Sequence, residues 1–278
     1  MFPVTQLNER LNELDNNPSE FDDVYVGDLA MSASGKISWV ATNDKPLREF
    51  PLKDNKANGA IEIFKMPEKD KEGNVFNHRY IAGVDPIDDD ASGTVSLVSC
   101  IILDLWTDKI VCEWTGRLDY ADDCYERIRL MLLFYNARCL YENNKKGMFA
   151  YFSRMNCLYL LADCPDYLRD KDMVKGQLYG NKLKGVNATA GINNYANEQI
   201  KNWLIKPTTT TIKEGEEEKQ IEIFNLFFIR NRALLKELIL FNPDINVDRV
   251  RALGMCMLLR EERIIMYQGD IKNKMQKQ

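Results

Sequence analysis

The chain has 278 residues, 45% hydrophobic and 28% charged, ordinary values for a globular protein able to bury one large core. Its single histidine, His78, all but excludes histidine-based zinc sites, Ser-His-Asp triads and Cys-His dyads. The formal net charge of −5 gives no overall bias toward nucleic acid, and no apolar run approaches the roughly 20 residues of a membrane-spanning helix.

The opening stretch, MFPVTQLNERLNELDNNPSE, has neither the basic nor the apolar segment of a signal peptide. Seven cysteines form no CxxC pair, and most sit in apolar runs (Cys100, Cys112, Cys139, Cys256), the pattern of reduced, buried thiols in a cytoplasmic protein. No GxxxxGK[ST] phosphate loop occurs; Ser34-Gly35-Lys36 lacks the first glycine and the spacing. Carboxylate is plentiful, and carboxylates bind hard divalent cations.

Residues 1–78 are turn-rich and polar. Short apolar clusters at Val24–Val26, Ile37–Val40 and Ile61–Phe64 predict a few short strands, separated by charged segments. The texture changes at Tyr80. YIAGVDP is an apolar strand ending in an acid and a proline, VSLVSCIILDLW a long β-rich run, and Lys109–Trp114 a third strand, so a three-stranded antiparallel meander is expected. Asp119 is placed to cap a helix running through Ala137, with Ile128, Leu132 and Tyr135 at helical spacing. A buried strand over 138–144 then ends in Glu142. A helix at about 147–157, a strand at Leu158–Ala162 and a helix near Ala196–Leu204 continue the alternation. The expected architecture is a mixed α/β sheet with helices packed on it. Thr208–Lys213 and Gln220–Phe224 flank an acidic tip and predict a protruding β-hairpin. Arg232–Phe241 predicts a helix, and Asn246 or Asp244 can cap a last one from about Val247 to Ile265.

Three acids occupy comparable places. Asp85 ends the first core strand and Glu142 ends the strand after the first helix. Asp248 opens the last helix, above Ala252, Met255 and Leu259 at i+4, i+7 and i+11, which turns it toward the sheet. Taken singly, Asp85 before Pro86 reads as a turn initiator, Glu142-Asn143-Asn144 as a polar strand exit, and Asp248 as a complement to the helix dipole. Taken together, they would converge and repel unless cations neutralised them. Two Mg²⁺ or Mn²⁺ ions would do so and could activate water against a phosphodiester. Eight Lys/Arg against four Asp lie between Asn143 and Lys184, a local basic excess next to Glu142. Lys145, Lys146, Lys182 and Lys184 are the candidates for sequence-independent phosphate contacts.

Three stretches, RYIAGVDPIDDDASG, CLYENN and LLKELILFNPDINVDRVRALGM, resemble the nuclease domain of the large terminase subunit of tailed bacteriophages, over about 200 residues from Arg79 onward. The resemblance implies an RNase H-like mixed sheet flanked by helices. It implies a metal-dependent endonuclease that cuts concatemeric viral DNA, with Asp85, Glu142 and Asp248 as catalytic and metal-binding acids. It places residues 1–78 as a linker or tail before the nuclease domain of 79–278. The partners it implies are double-stranded DNA, a terminase ATPase domain, a small terminase subunit and a portal, in the cytoplasm of an infected bacterial host. Where many relatives carry His-Asp-Asp before Arg-Val, this chain has Asn246-Val247-Asp248, so the upstream acid is missing; Asp88, Asp89 and Asp90 are candidates to replace it. The family's P-loop motor has no counterpart here, and an excised nuclease unit is the expectation. A resolvase- or transposase-type nuclease on the same fold, and a non-catalytic DNA- or procapsid-docking module, are the alternatives.

Overall fold

A computed structural model describes residues 1–52, 57–87, 96–171, 173–174, 183–214, 217–242 and 245–276. In chain order the elements are α1 (Val4–Asn16), β1 (Tyr25–Met31), β2 (Ile37–Ala41), β3 (Ile61–Ile63), β4 (Tyr80–Asp85), β5 (Val98–Asp104) and β6 (Lys109–Gly116). They continue with α2 (Ala121–Tyr135), β7 (Arg138–Tyr141), α3 (Gly147–Arg154), α4 (Asp166–Asp170), α5 (Ala190–Leu204), β8 (Pro207–Glu214), β9 (Glu217–Phe224), α6 (Arg232–Ile239) and α7 (Asp248–Gln276).

Seven strands form one sheet in the order β2-β1-β3-β6-β5-β4-β7, and β8 and β9 pair as a separate hairpin. Strands β4, β5 and β6 are the expected antiparallel meander, and β7 joins β4 in parallel after the α2 crossover. A meander followed by a parallel fourth strand beside the first is the RNase H-like arrangement. Nearly every residue of β4, β5 and β6 is buried, because both sheet faces are covered. Ile81, Ile101, Leu103 and Leu140 pack on one face with α5 and α7. Tyr80, Ala82, Val98, Cys100 and Ile102 pack on the other with α2 and α3. All seven cysteines are free and buried. Among the described residues no helix is long and apolar enough to cross a membrane.

The sheet does not stop at residue 79. Strand β3 pairs with β6, and β1 and β2 extend the sheet beyond it. Helix α1, with Leu7 and Leu14 fully buried, packs on α6. Residues on both sides of the boundary read from the sequence therefore build one sheet and share its cores.

Local differences from the sequence reading have physical causes. Helix α2 starts at Ala121 with no side-chain cap; Asp122 and Asp123 in its first turn complement the helix dipole instead of Asp119 capping it. Leu158–Leu160 is a short 3-10 turn rather than a strand. Asn156, in the left-handed region at φ 53°, ends the preceding helix so tightly that only Leu161 is left to pair, in parallel, with Cys139. Asp244, the hairpin tip at 215–216 and Asp88–Asp90 lie outside the described residues.

The contact that seats α7 is at Gly83. A Cβ built there would lie 2.0 Å from the carbonyl oxygen of Ala252 and 2.2 Å from the amide nitrogen of Cys256, so the helix backbone rests directly on the strand. Gly83→Ala therefore has to lift the helix from the sheet. We expect a loss of about 3 kcal/mol or more, read as a fall in the denaturation midpoint, because the clash is with backbone and cannot relax by rotamer change. A midpoint within experimental error of wild type would show that α7 is not seated there.

Candidate active site

The seating of α7 fixes the height of Asp248 relative to Asp85. Gly83 and Asp85 are two residues apart on one face of β4, a rise of about 6.6 Å. Asp248 lies four residues before Ala252 on α7, a rise of about 6 Å. With Gly83 against Ala252, Asp248 comes level with Asp85. Parallel pairing brings in the third acid. Val84 pairs with Tyr141, so Asp85 and Glu142 follow side by side, and alternation puts both on the face of Gly83 and Leu140. The Glu142 amide donates to the Val84 carbonyl (3.3 Å), and Glu142 makes a single parallel bridge to Val186.

The acids differ in surroundings. Asp85 is 4% exposed and Asp248 5%, whereas Glu142 is only partly buried. Asp248 is tightly held: Oδ2 accepts from the Leu97 amide (3.1 Å) and from Asn246 Nδ2 (3.2 Å), and Oδ1 accepts from Ser96 Oγ (3.3 Å). Asn246 thus supports the third acid by a hydrogen bond, and Val247 between them is buried. Glu142 Oε1 accepts from Asn144 Nδ2 at 3.1 Å. Lys145 enters the cluster, donating to Asp85 Oδ1 (3.1 Å) and to the Pro86 carbonyl (2.5 Å).

The electrostatics follow from these positions. Burial pushes the Asp85 carboxyl up to about 8; Lys145 opposes the shift, while the Asp248 and Glu142 charges reinforce it. Burial also raises Asp248, against the Leu97 amide and Lys145, which favour its charged form. Burial alone would lower the Lys145 ammonium, but Asp85, Glu142 and Asp248 together outweigh it and Lys145 ends up raised. Three oxygen donors that repel one another around one ammonium have the chemistry of a hard-cation site. Among the described residues no group of three or more Asp, Glu, His or Cys side chains is arranged to hold a metal ion. The donor types fit Mg²⁺ or Mn²⁺, and Lys145 fills the counter-charge role.

Of the other lysines, Lys146 is exposed and donates to the Asn143 carbonyl (2.9 Å). Lys184 pairs with Asp163 (2.8 Å) and donates to the Leu161 carbonyl (3.0 Å). Lys182 lies outside the described residues. The sequence reading missed two buried groups beneath the acids. Arg249 is 2% exposed and forms ion pairs of 2.8 Å with both Glu113 and Glu237. The visible signals were a glutamate inside the apolar strand run IVCEW and an arginine next to Asp248.

No protein-family model matches the sequence, and no curated protein matches it. Among solved structures the chain is similar to the crystal structure of the large terminase nuclease from thermophilic phage G20c. The similarity covers 72% of this chain and 88% of that chain, at 13% identity and a TM-score of 0.40.

The raised Asp85 carboxyl has a consequence for stability. The folded state keeps a proton that the unfolded chain releases near the ordinary value of 3.8, so this group lowers stability as pH rises from about 4 to about 8, and the effect levels off above that. In chelator, wild type should lose stability over that window with a slope of up to about 1.4 kcal/mol per pH unit from this group. Asp85→Asn removes the titration and should flatten the curve. Identical pH dependence in wild type and variant, followed by thermal denaturation from pH 5 to 8.5, would rule Asp85 out as the titrating group.

Proposed function

We propose that the chain is a divalent-metal-dependent endodeoxyribonuclease that cuts concatemeric viral DNA during genome packaging, the nuclease domain of a terminase large subunit. One observation supports the reading: Asp85 at the end of β4 and Asp248 at the start of α7 are buried where desolvation works against their charge, and Glu142 follows in register on the neighbouring strand. Stability alone gives no reason to bury mutually repelling acids, and perturbed carboxyls of this kind mark functional sites. The motif resemblance narrows the substrate from any phosphodiester to packaged DNA.

In this reading Asp85 and Asp248 supply the buried carboxylate oxygens, and Glu142 supplies one nearer the solvent. Bound there, one or two Mg²⁺ or Mn²⁺ ions would polarise the phosphodiester and lower the pKa of an attacking water. The Leu97 amide, Ser96 and Asn246 hold the Asp248 carboxylate in place, so its orientation precedes binding. A bound cation would take the place of the Lys145 ammonium beside Asp85, and Lys145 could then face a phosphate oxygen. Lys146, on the exposed side of the same loop, adds charge along a DNA backbone. Such contacts are sequence-independent and salt-sensitive. Cut-site choice then belongs to the partners that the family reading supplies, the ATPase domain, the small subunit and the portal.

The test is plasmid cleavage in Mn²⁺ and in Mg²⁺ with wild type, Asp85→Ala and Asp248→Ala. Wild type should nick and linearise DNA, and each variant should lose more than the 10–100-fold typical of a supporting residue. Calorimetric Mn²⁺ titration at pH 7 in buffers of different ionisation enthalpy should show proton release, since Asp85 must give up its proton to bind. Undiminished cutting by both variants would discard the assigned site. Absence of cutting and of Mn²⁺ binding in wild type would favour a docking module on the same fold.

A further inference from the structure

Behind the acids lies a buried polar network that the reading above does not use. Arg249, next to Asp248, spans the gap between α7 and the sheet. Its Nε donates to Glu113 Oε1 (2.8 Å), Nη1 to Glu237 Oε1 (2.8 Å) and Nη2 to the Leu47 carbonyl (2.5 Å). Glu237 also caps α7, its Oε2 accepting from the backbone amides of Arg249 (2.9 Å) and Val250 (3.2 Å). Glu113 lies on the same sheet face as Asp85. Its Oε1 accepts from Thr115 Oγ1 (3.1 Å), which shares a hydrogen bond with Ser99 Oγ (2.9 Å), and Ser99 is the cross-strand partner of Asp85. An unbroken chain of polar contacts and strand pairing thus leads from the backbone beside one acid to the strand residue carrying another.

A core needs no such device to be stable. Arg249, Glu113 and Glu237 are each 1–2% exposed, and replacing a buried ion-pair network by well-packed apolar residues is often neutral or stabilising. What the network supplies is geometry. The guanidinium is a planar fork with fixed donor directions, so its two carboxylates and one carbonyl fix the start of α7 in rotation as well as in height. Gly83 sets the height of the helix on the strand. The remaining freedom is rotation about the helix axis, which would swing Asp248 away from Asp85, and Arg249 projects from the adjacent position.

We propose that Arg249 is a positioning residue for the cation site: locked by Glu113 and Glu237, it sets the rotation of the first turn of α7 and so the separation of the Asp248 and Asp85 carboxylates. This rests on the metal-site reading above. Its consequence is that loosening Arg249 weakens cation binding without touching a ligand.

The experiment measures Mn²⁺ binding to the full chain by electron paramagnetic resonance, beside the Mn²⁺ dependence of plasmid cleavage and the thermal midpoint. The variants are Arg249→Lys, which keeps the charge and loses the fork, and Glu237→Gln, which keeps an acceptor for the α7 amides and loses the charge. Glu113→Gln serves as a third, at the sheet end of the network. Each should raise the Mn²⁺ concentration for half-maximal binding by about 10-fold or more, the scale of supporting-residue losses at metal sites, with excess Mn²⁺ restoring much of the rate. A purely structural role would lower the thermal midpoint and leave the Mn²⁺ midpoint of the folded protein unchanged. If Arg249→Lys does not fold, the two glutamine variants decide: wild-type Mn²⁺ midpoints in both overturn the proposal. The two readings fail separately. Wild-type cutting by Asp248→Ala removes the site itself, whereas a dead Asp248→Ala beside wild-type Mn²⁺ binding in the network variants removes only the role of Arg249.

Discussion

The close approach of α7 to β4 at Gly83 is the constraint on which the rest depends. A helix and a sheet usually stand about 10 Å apart with side chains between them; here the missing side chain lets backbone meet backbone. The cost is stiffness, because any side chain at this position forces the layers apart. The return is registration. Once Gly83 lies against Ala252 and Cys256, the rise of the strand and the rise of the helix bring Asp85 and Asp248 to the same level. The parallel pairing of β4 with β7 then leaves Glu142 no place except beside Asp85. Two backbone relations, one helix-on-strand and one strand-on-strand, therefore bring three positions that are distant in sequence to the same end of the sheet.

Those backbone relations work against the electrostatics, and the surrounding groups show how the opposition is managed. Lys145 reaches back to Asp85 and supplies a positive charge where the acids crowd. Arg249 does the same one layer deeper, between Glu113 and Glu237. The two cations are not equivalent. Lys145 is a point charge on a flexible stem at the partly open side of the cluster and can leave. Arg249 is a planar fork with partners on β6, on α6 and in the loop before β3, and leaving would strand two buried carboxylates, at a cost of several kcal/mol. On the proposed reading, a site that exchanges its counter-charge for a metal ion would use one of each: a removable cation where the ion would bind, and a fixed one where the scaffold must not move.

Much of this was legible in the sequence, for identifiable reasons. The meander, α2 and the hairpin declared themselves through periodicity and turn residues. The places of Asp85, Glu142 and Asp248 were legible, at the ends of two apolar runs and at the head of an amphipathic stripe whose Ala252, Met255 and Leu259 are buried; the metal-binding role remains the proposal. The strand expected at Leu158–Ala162 was not legible, because its apolar composition suits a tight 3-10 turn equally well and the deciding residue is Asn156 in a left-handed conformation. Glu113 and Arg249 stayed hidden because a charged residue in an apolar run gives no sign of its partner; that requires knowing which strand faces which helix. The place of Lys145 was half visible. Its charge suggested a phosphate, and only the turn after β7 shows that the ammonium first meets Asp85.

The polar turn-rich stretch before Arg79 is where sequence texture misled most, and the reason bears on the site. Short strands separated by charged loops look like an appendage when each is too short to hold a core. Strand β3 is three residues long, yet all three are buried, because β6 supplies one neighbour and β1 the other. Glu62 on β3 is directly opposite Glu113 on β6, and its Oε1 accepts from both Nε and Nη2 of Arg48 (2.9 and 2.7 Å). Leu47, the residue before, offers its carbonyl to Arg249. The segment that reads as a tail thus carries a counter-charge for the acid beside Glu113 and one of the three acceptors that hold Arg249. A boundary drawn at residue 79 would cut through the support of the α7 start, about 170 residues further along the chain, and the acid that the start of α7 carries is Asp248.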